Sequence, residues 1–291
     1  MKGRNSRAVS FLIVLMSIFY STGCEREVSW PLENIENDLV VVEGIITDEY
    51  KHQTIKLNRT ISSPNDTPEP VTGAEVIVST VDSVYTFIED STAPGVYNSI
   101  IPFAGVVENE YTLFLNAEGK IITAKAIMPP GADFQFLRYG RQGNKEMLFT
   151  IVWVAGQYNA ESPAMYEILL DWSMVAGYEN VSYDSTHARL LYYTLPTLDV
   201  SQMFAPARET VHFPKGTIIT EKRYSLSTQH AAFIRALLAE TNFQGGLFNS
   251  VPSNLPVNLS NNGLGFFGAC AVTTKTRVAG NAPQRNSNED L

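Results

Sequence analysis

Cysteine is almost absent from this chain of 291 residues, which contains only Cys24 and Cys270. Two cysteines exclude a disulfide-stapled scaffold and a four-ligand zinc site built from cysteine. Basic residues are also outnumbered, because 21 Lys and Arg against 30 Asp and Glu leave a formal net charge of −9. This acidic balance argues against a nucleic-acid partner, since such partners are bound through basic faces that displace phosphate counterions.

Catalytic motifs are missing as well. The chain has no G-x-S-x-G nucleophile elbow, no H-E-x-x-H zinc motif and no G-x-x-x-x-G-K-[ST] phosphate loop. Its four histidines, His52, His187, His212 and His230, show no metal-ligand spacing. Cys270 would need a histidine and an Asn or Asp beside it to act as a nucleophile, and its apolar neighbours favour a buried thiol instead. We expect no enzyme activity and no cofactor or metal.

The N-terminus is typical of an export signal. Three basic residues precede an apolar stretch at 8–20. A helix of that length covers about 20 Å, less than the ~30 Å hydrocarbon core, so a signal peptide over 1–23 fits better than a membrane-spanning helix. Ser21-Thr22-Gly23-Cys24 resembles a bacterial lipobox. The resemblance implies that Cys24 is acylated and anchors the chain in the outer membrane.

Cleavage before Cys24 removes three positive charges, which changes the formal net charge from −9 to −12. The alternative is a soluble exported protein in which Cys24 has no special role. Residues 24–37 predict an acidic tether, either a solvated linker or a segment that resembles the surface-export signal of some Gram-negative lipoproteins. The two interpretations are compatible. The choice between the periplasmic and the extracellular face stays open.

Residues 38–131 predict an immunoglobulin-like β-sandwich. Hydrophobic residues alternate with period two between turn signals, without helical periodicity. The predicted strands are 39–47, 53–59, 74–80, 83–89, 95–101, 110–116 and 120–127. Four motifs in order, VEGIITD at 42–48, VTGAEV at 71–76, PGVY at 94–97 and YTL at 111–113, resemble the carboxypeptidase-regulatory-like, immunoglobulin-type module. The resemblance implies a structural or docking unit, with Tyr97 and Tyr111 in its core.

Residues 132–280 predict a second β-rich domain with one amphipathic helix, which makes the fold mainly β. The predicted strands are 147–154, 165–172, 188–196, 209–213, 217–222 and 265–278. The helix covers about 227–241, because Phe233, Ile234, Leu237, Leu238 and Thr241 recur at three- and four-residue spacing, with Ser225 or Ser227 as its cap and 245–246 as its end. The polar residues 281–291 are expected to be disordered.

Motifs along almost the whole chain give a closer resemblance. They are EGIITD at 43–48, VTGA at 71–74, MPP at 128–130, YSLS at 224–227, GGLF at 245–248, PSNLP at 252–256 and GLGFFGA at 263–269. Together they are similar to the domain of unknown function 4249 family. The resemblance implies an envelope lipoprotein of the kind found beside TonB-dependent outer-membrane transporters, with no catalytic residues to carry over.

Aromatic residues are concentrated between 153 and 193, where eight occur. Those on strands are expected in the core or at its rim. Tyr178 and Tyr183 instead lie in a predicted loop or small hairpin at 177–184, and with Trp172 they form the candidate ligand or partner surface.

These features favour an outer-membrane accessory lipoprotein that binds a nutrient or docks on a TonB-dependent transporter. A structural or adhesive β-module protein without a transport role is the alternative. An envelope hydrolase ranks last, since no nucleophile, base or metal set is present. The small-molecule, glycan or peptide ligand is not identified by the sequence.

Overall fold

The structure is a computed structural model that describes residues 39–61, 66–141, 148–153, 162–195, 210–241 and 255–280. Within these ranges the chain is mainly β, as predicted, with fifteen strands and two helices. The elements are β1 (Val40–Thr47), β2 (Thr54–Arg59), β3 (Glu75–Ser79), β4 (Val84–Asp90), β5 (Ala93–Ser99), β6 (Glu110–Ala117), β7 (Lys120–Ile127), β8 (Arg138–Arg141), β9 (Leu148–Trp153), β10 (Ala164–Asp171), α1 (Tyr183–Thr186), β11 (His187–Thr194), β12 (His212–Pro214), β13 (Ile218–Ser225), α2 (Thr228–Thr241), β14 (Leu264–Cys270) and β15 (Val272–Val278). The predicted signal peptide, tether and C-terminal tail lie outside the described residues.

All seven strands predicted within 38–131 are present. Their hydrogen bonds join them with β14 into one eight-stranded sheet, in the order β14-β1-β2-β5-β4-β3-β6-β7. The two ends of this sheet approach each other, since Ala124 of β7 bridges to Leu259 just before β14, and the Thr123 amide donates to Ser260 Oγ at 2.8 Å. The sequence predicts two sheets here, whereas the structure has one nearly closed, barrel-like sheet. We call it the barrel sheet.

The interior of the barrel sheet follows from the period-two pattern. Alternate residues of each strand point inward, so that Val40, Val42 and Ile46 of β1 are buried. Tyr97 and Tyr111 are buried in this core, as predicted. The Tyr97 hydroxyl donates to the Val71 carbonyl at 2.8 Å, which provides the hydrogen bond that a buried phenol requires.

Strand β14, from the C-terminal part of the chain, is the first strand in the order of the barrel sheet. It pairs in parallel with β1 from Val41–Leu264 to Thr47–Cys270. Both of its faces are buried: Phe267 and Ala269 pack in the barrel core, while Phe266 and Cys270 pack against α2. The single strand predicted at 265–278 is therefore two strands, because the chain leaves the barrel sheet at Ala271 and enters a different sheet as β15.

The remaining strands form two smaller sheets. One has the order β11-β10-β13-β15 and the other β12-β9-β8. Five of the strands predicted here are present within a few residues, and β8 was not predicted. A shared core lies between the two sheets, formed by Leu137, Tyr139, Phe149, Ile168, Leu170, Trp172, Leu190, Phe213, Ile219 and Ala279.

Helix α2 begins where the sequence predicts. The Ser227 hydroxyl accepts a hydrogen bond from the His230 amide at 3.1 Å, so Ser227 is the N-cap. Phe233 and Ile234 are buried as predicted. Leu237 is 39% exposed, so the prediction that it belongs to the buried apolar stripe of the helix was wrong. The Thr241 side chain and residues 245–246 fall outside the described part of the chain.

The barrel sheet and the β11-β10-β13-β15 sheet are tied together by the turn after β1. Asp48 Oδ1 accepts from the Val272 amide at 2.7 Å, and Glu49 forms an ion pair with Lys222 at 2.7 Å. Both contacts connect residues more than 170 positions apart in the chain. They join residues on either side of the boundary predicted at residue 131.

Replacing Gly265 by alanine should destabilise the fold strongly. Gly265 has φ of +87°, and a Cβ there would lie 2.1 Å from the Val42 carbonyl oxygen. Backbone strain and this overlap should together cost about 3 kcal/mol or more. Urea unfolding measures the loss. Gly280→Ala is the control, because a Cβ at Gly280 meets nothing within 4 Å; equal midpoints for the two variants would contradict the role of Gly265.

Candidate functional site

The three residues predicted as a ligand or partner surface lie in the segment between β10 and β11, residues 172–186, here called the β10–β11 loop. Trp172 is only 7% exposed and belongs to the core between the smaller sheets. Tyr178 is half-buried and packs against the same core. Tyr183 is 71% exposed. Of the three, Tyr183 alone projects from the surface, and its contact with a partner stays a prediction.

Consecutive turns order the backbone of the β10–β11 loop. The Val175 amide donates to the Trp172 carbonyl, the Tyr178 amide to the Val175 carbonyl, and the Val181 amide to the Tyr178 carbonyl, at 3.0–3.1 Å. At the start of the loop, Asp171 accepts from both the amide and the hydroxyl of Ser173. These hydrogen bonds hold the pKa of the Asp171 carboxyl below its usual value. The loop is therefore preorganised by its own hydrogen bonds.

The exposed tyrosine is itself held in place. Tyr183 begins the one-turn helix α1, and its ring stacks on His187 with centroids 3.8 Å apart. His187 Nδ1 lies 3.0 Å from the Tyr183 carbonyl oxygen, and its Nε2 lies 3.3 Å from Asp171 Oδ1. The predicted loop or hairpin at 177–184 is thus a turn that leads into a helical turn. The stack limits the ring's freedom, which reduces the entropy that binding would remove.

Two further apolar side chains are exposed on the same loop. Met174 is 84% exposed and Val181 is 43% exposed. Neither residue is among the three predicted surface residues, all of which are aromatic. The signal for Met174 and Val181 in the sequence is a large apolar residue among loop-forming Gly, Asn and Ser. Met174, Val181 and Tyr183 are therefore three large exposed side chains on one ordered loop.

The structure also brings Cys270 and His230 together, which the sequence did not predict. The thiol is buried, as expected, and its Sγ lies 3.8 Å from His230 Nδ1. Burial raises the pKa of Cys270 to about 12 and lowers the pKa of His230 to about 4. Both groups are neutral at physiological pH, so the thiolate and imidazolium of a reactive pair are disfavoured.

The packing of His230 explains why it lies beside Cys270. The His230 ring stacks on Phe266 with centroids 4.6 Å apart, and it lies so close to Gly268 that a Cβ there would be 2.9 Å from the ring. Among the described residues, no group of three or more His, Cys, Asp and Glu could hold a metal ion. No helix in those ranges is long and apolar enough to span a membrane.

The fold and the loop define a class: a β-rich chain whose barrel sheet is completed by a C-terminal strand and whose smaller sheets present an ordered apolar loop. The sequence model of one family, described as a domain of unknown function (DUF4249), matches residues 25–276. The chain belongs to this family. No curated protein matches the sequence.

The Cys270 thiol should be unreactive in the folded protein. A pKa of about 12 leaves a thiolate fraction on the order of 10⁻⁴ at pH 8, and burial blocks access. Ellman's reagent should therefore label a Cys24→Ser chain only after unfolding in urea. Full labelling of the folded chain within minutes would contradict the packing role.

Proposed function

We propose that the chain is a lipid-anchored accessory lipoprotein of the outer membrane, which docks on a TonB-dependent nutrient transporter or holds a ligand for it. The observation that carries the proposal is the β10–β11 loop. Its backbone is ordered by its own hydrogen bonds, and Met174, Val181 and Tyr183 are exposed on it. A preorganised apolar surface loses little entropy on binding, which suits a docking contact.

The proposed anchor is Cys24. The basic and apolar segments before it and the lipobox-like Ser21-Thr22-Gly23-Cys24 support acylation there with fatty acids such as palmitate. Two or three acyl chains hold a protein firmly on a bilayer, since each buried CH₂ contributes about 0.8 kcal/mol.

The proposal includes the immunoglobulin-type relationship of residues 38–131. The seven predicted strands and the buried Tyr97 and Tyr111 support it. In this interpretation the barrel sheet is the docking scaffold next to the tether. The smaller sheets then carry the binding loop.

Replacing Cys24 by serine should release the protein from the membrane, because serine offers no thiol for acylation. We expect loss of radiolabelled palmitate incorporation and a shift from the membrane pellet to the soluble fraction. Cys270→Ala is the matched control and should stay in the pellet. Palmitate incorporation and membrane pelleting that persist in the Cys24→Ser chain would refute the anchor. Protease treatment of intact cells then separates the extracellular from the periplasmic face.

The double substitution Met174→Ser with Tyr183→Ala should weaken transporter docking. Two contact residues of this kind are each worth about 1–2 kcal/mol, so affinity should fall about thirtyfold to a thousandfold. The measurement is recovery of a TonB-dependent transporter from solubilised outer membrane with the tagged chain as bait, identified by mass spectrometry.

Val81→Ser is the matched control for that experiment, since Val81 is 97% exposed but lies in the β3–β4 turn. The control should recover as much transporter as the wild-type chain, and thermal melting should show that both variants are folded. Equal recovery with the double variant would rule out the loop as the docking surface. Absence of any transporter, with binding to matrix or host surfaces instead, would favour the structural or adhesive alternative.

A further inference from the structure

The connection between β5 and β6 begins with a stretch that has no polar side chain. It is IIPFAGVV at residues 100–107, here called the apolar loop. Connections between strands are usually polar, and a run of exposed apolar residues in a loop is an error of design unless it has a function. Ile100, Ile101 and Val106 are each more than half exposed. The apolar loop therefore presents large aliphatic side chains to its surroundings.

Phe103 holds the apolar loop on the barrel sheet. Its buried ring stacks on Tyr85 with centroids 3.7 Å apart, and its backbone forms an antiparallel bridge with Lys51. Its carbonyl also accepts from Nε2 of the buried Gln53 at 2.9 Å. The exposed aliphatic side chains thus project from a backbone that is already fixed, so contact with another surface removes little conformational entropy.

Further hydrogen bonds join the backbone of the apolar loop to the barrel sheet at 2.6–2.9 Å. They are Ile100 amide to Thr86 carbonyl, Ser99 hydroxyl to Ile101 carbonyl, Gly105 amide to Thr47 carbonyl, and Val106 amide to Tyr111 hydroxyl. A backbone polar group that enters hydrocarbon must be bonded within the protein, because lipid chains offer no partner. The apolar loop meets this requirement at each of these groups.

Other apolar side chains are exposed at the same end of the barrel sheet. Tyr50, Val84 and Ile127 are each more than half exposed. Tyr50 precedes Lys51, β4 begins at Val84, and β7 ends at Ile127, opposite the first residue of β6. With the apolar loop they expose on the order of 500 Å², near the upper limit for the largest apolar patch of a monomer. Each partner of a stable protein complex contributes more, about 800 Å².

The charged residues beside the apolar loop form no basic cluster. Lys51 is paired with Glu49 at 2.8 Å, and Lys125 is paired with Glu110 at 2.5 Å. Glu108, which follows the loop, is exposed. Contacts driven by Lys and Arg require anionic lipid, whereas this surface gains its affinity from apolar burial. It therefore fits a zwitterionic phospholipid bilayer.

We propose that the apolar loop inserts into the interface of a phospholipid bilayer and holds this end of the barrel sheet on the membrane. The choice of a bilayer as the occupant rests on the proposed anchor at Cys24. An acyl group there confines the protein to a membrane surface. At the high effective concentration that results, an apolar area too small for a stable complex between free proteins is sufficient.

The chain before the barrel sheet is long enough for both contacts. Residues 25–39 span up to about 50 Å when fully extended. Strand β1, which runs from Val40 towards the end that carries the apolar loop, covers only about 26 Å. An acyl group on Cys24 and the apolar loop can therefore enter the same bilayer.

A polarity-sensitive dye on the apolar loop tests its insertion. Ala104→Cys in the Cys24→Ser chain provides one accessible thiol at an exposed position, since Cys270 is buried. Addition of phosphatidylcholine vesicles should shift the emission of the dye to shorter wavelength, and bromine on the lipid acyl chains should quench it. The same dye at Ser91→Cys, in the exposed β4–β5 turn at the opposite end of the barrel sheet, should stay in water.

Two pairs of substitutions show whether the apolar loop itself provides the affinity. Ile100→Ser with Ile101→Ser should raise the lipid concentration for half of the shift about tenfold or more, because two aliphatic side chains no longer enter the bilayer. Ile61→Ser with Ile121→Ser is the matched control, since both isoleucines are exposed at the opposite end of the barrel sheet, and it should leave that concentration unchanged.

Emission at position 104 that does not respond to vesicles, or that responds equally at position 91, would overturn the proposal. A shift with native outer-membrane vesicles but not with pure phospholipid vesicles would also overturn it, and would assign the apolar loop to a protein partner. The chain tested has no thiol at position 24, so its result does not depend on acylation. Failure of the anchor appears in the palmitate experiment, and failure of the apolar loop appears here.

Discussion

The parallel pairing of β1 with β14 is the constraint on which the rest of the structure depends. A parallel pair cannot be closed by a hairpin and needs a crossover connection. Here the connection contains all the strands and helices from β2 to α2. The β12-β9-β8 sheet and three strands of the β11-β10-β13-β15 sheet therefore lie inside the crossover, and the fourth of those strands, β15, follows β14 after Ala271. The consecutive strands β14 and β15 therefore join the barrel sheet to the β11-β10-β13-β15 sheet.

Burial also determines the protonation states of Cys270, His230 and Glu221. Cys270 of β14 and His230 of α2 are buried together, and burial keeps both groups neutral. Glu221 has no exposed surface either. Burial raises its pKa, while the hydrogen bond from the Leu137 amide and the charges of Arg277 and Lys275 lower it, and the result is about 7. Burial therefore gives an inert pair at one site and a titratable carboxyl at another, according to the neighbouring hydrogen-bond donors and charges.

Local patterns predicted much of the fold. The alternation in 38–131 placed seven strands, Ser227 marked the start of α2, and the apolar neighbours of Cys270 indicated a buried thiol. Two features were not predictable in this way. The four residues of β8 are too short for a periodic signal, and Met174 resembled any loop methionine until its exposure was known.

The sequence by itself determined which segments form strands, where the helix begins, and that the chain belongs among acidic, β-rich proteins with two cysteines, one of them predicted to carry a lipid. Only the tertiary structure decided that β14 joins the first seven strands in one sheet, that His230 meets Cys270, and that Glu221 and Arg277 bind the backbone of the same residue, Leu137. The physical reason is the distance along the chain over which each interaction acts. Side-chain periodicity and capping act over a few residues, whereas the partner of a strand edge or a buried charge is chosen by packing between residues far apart in the chain.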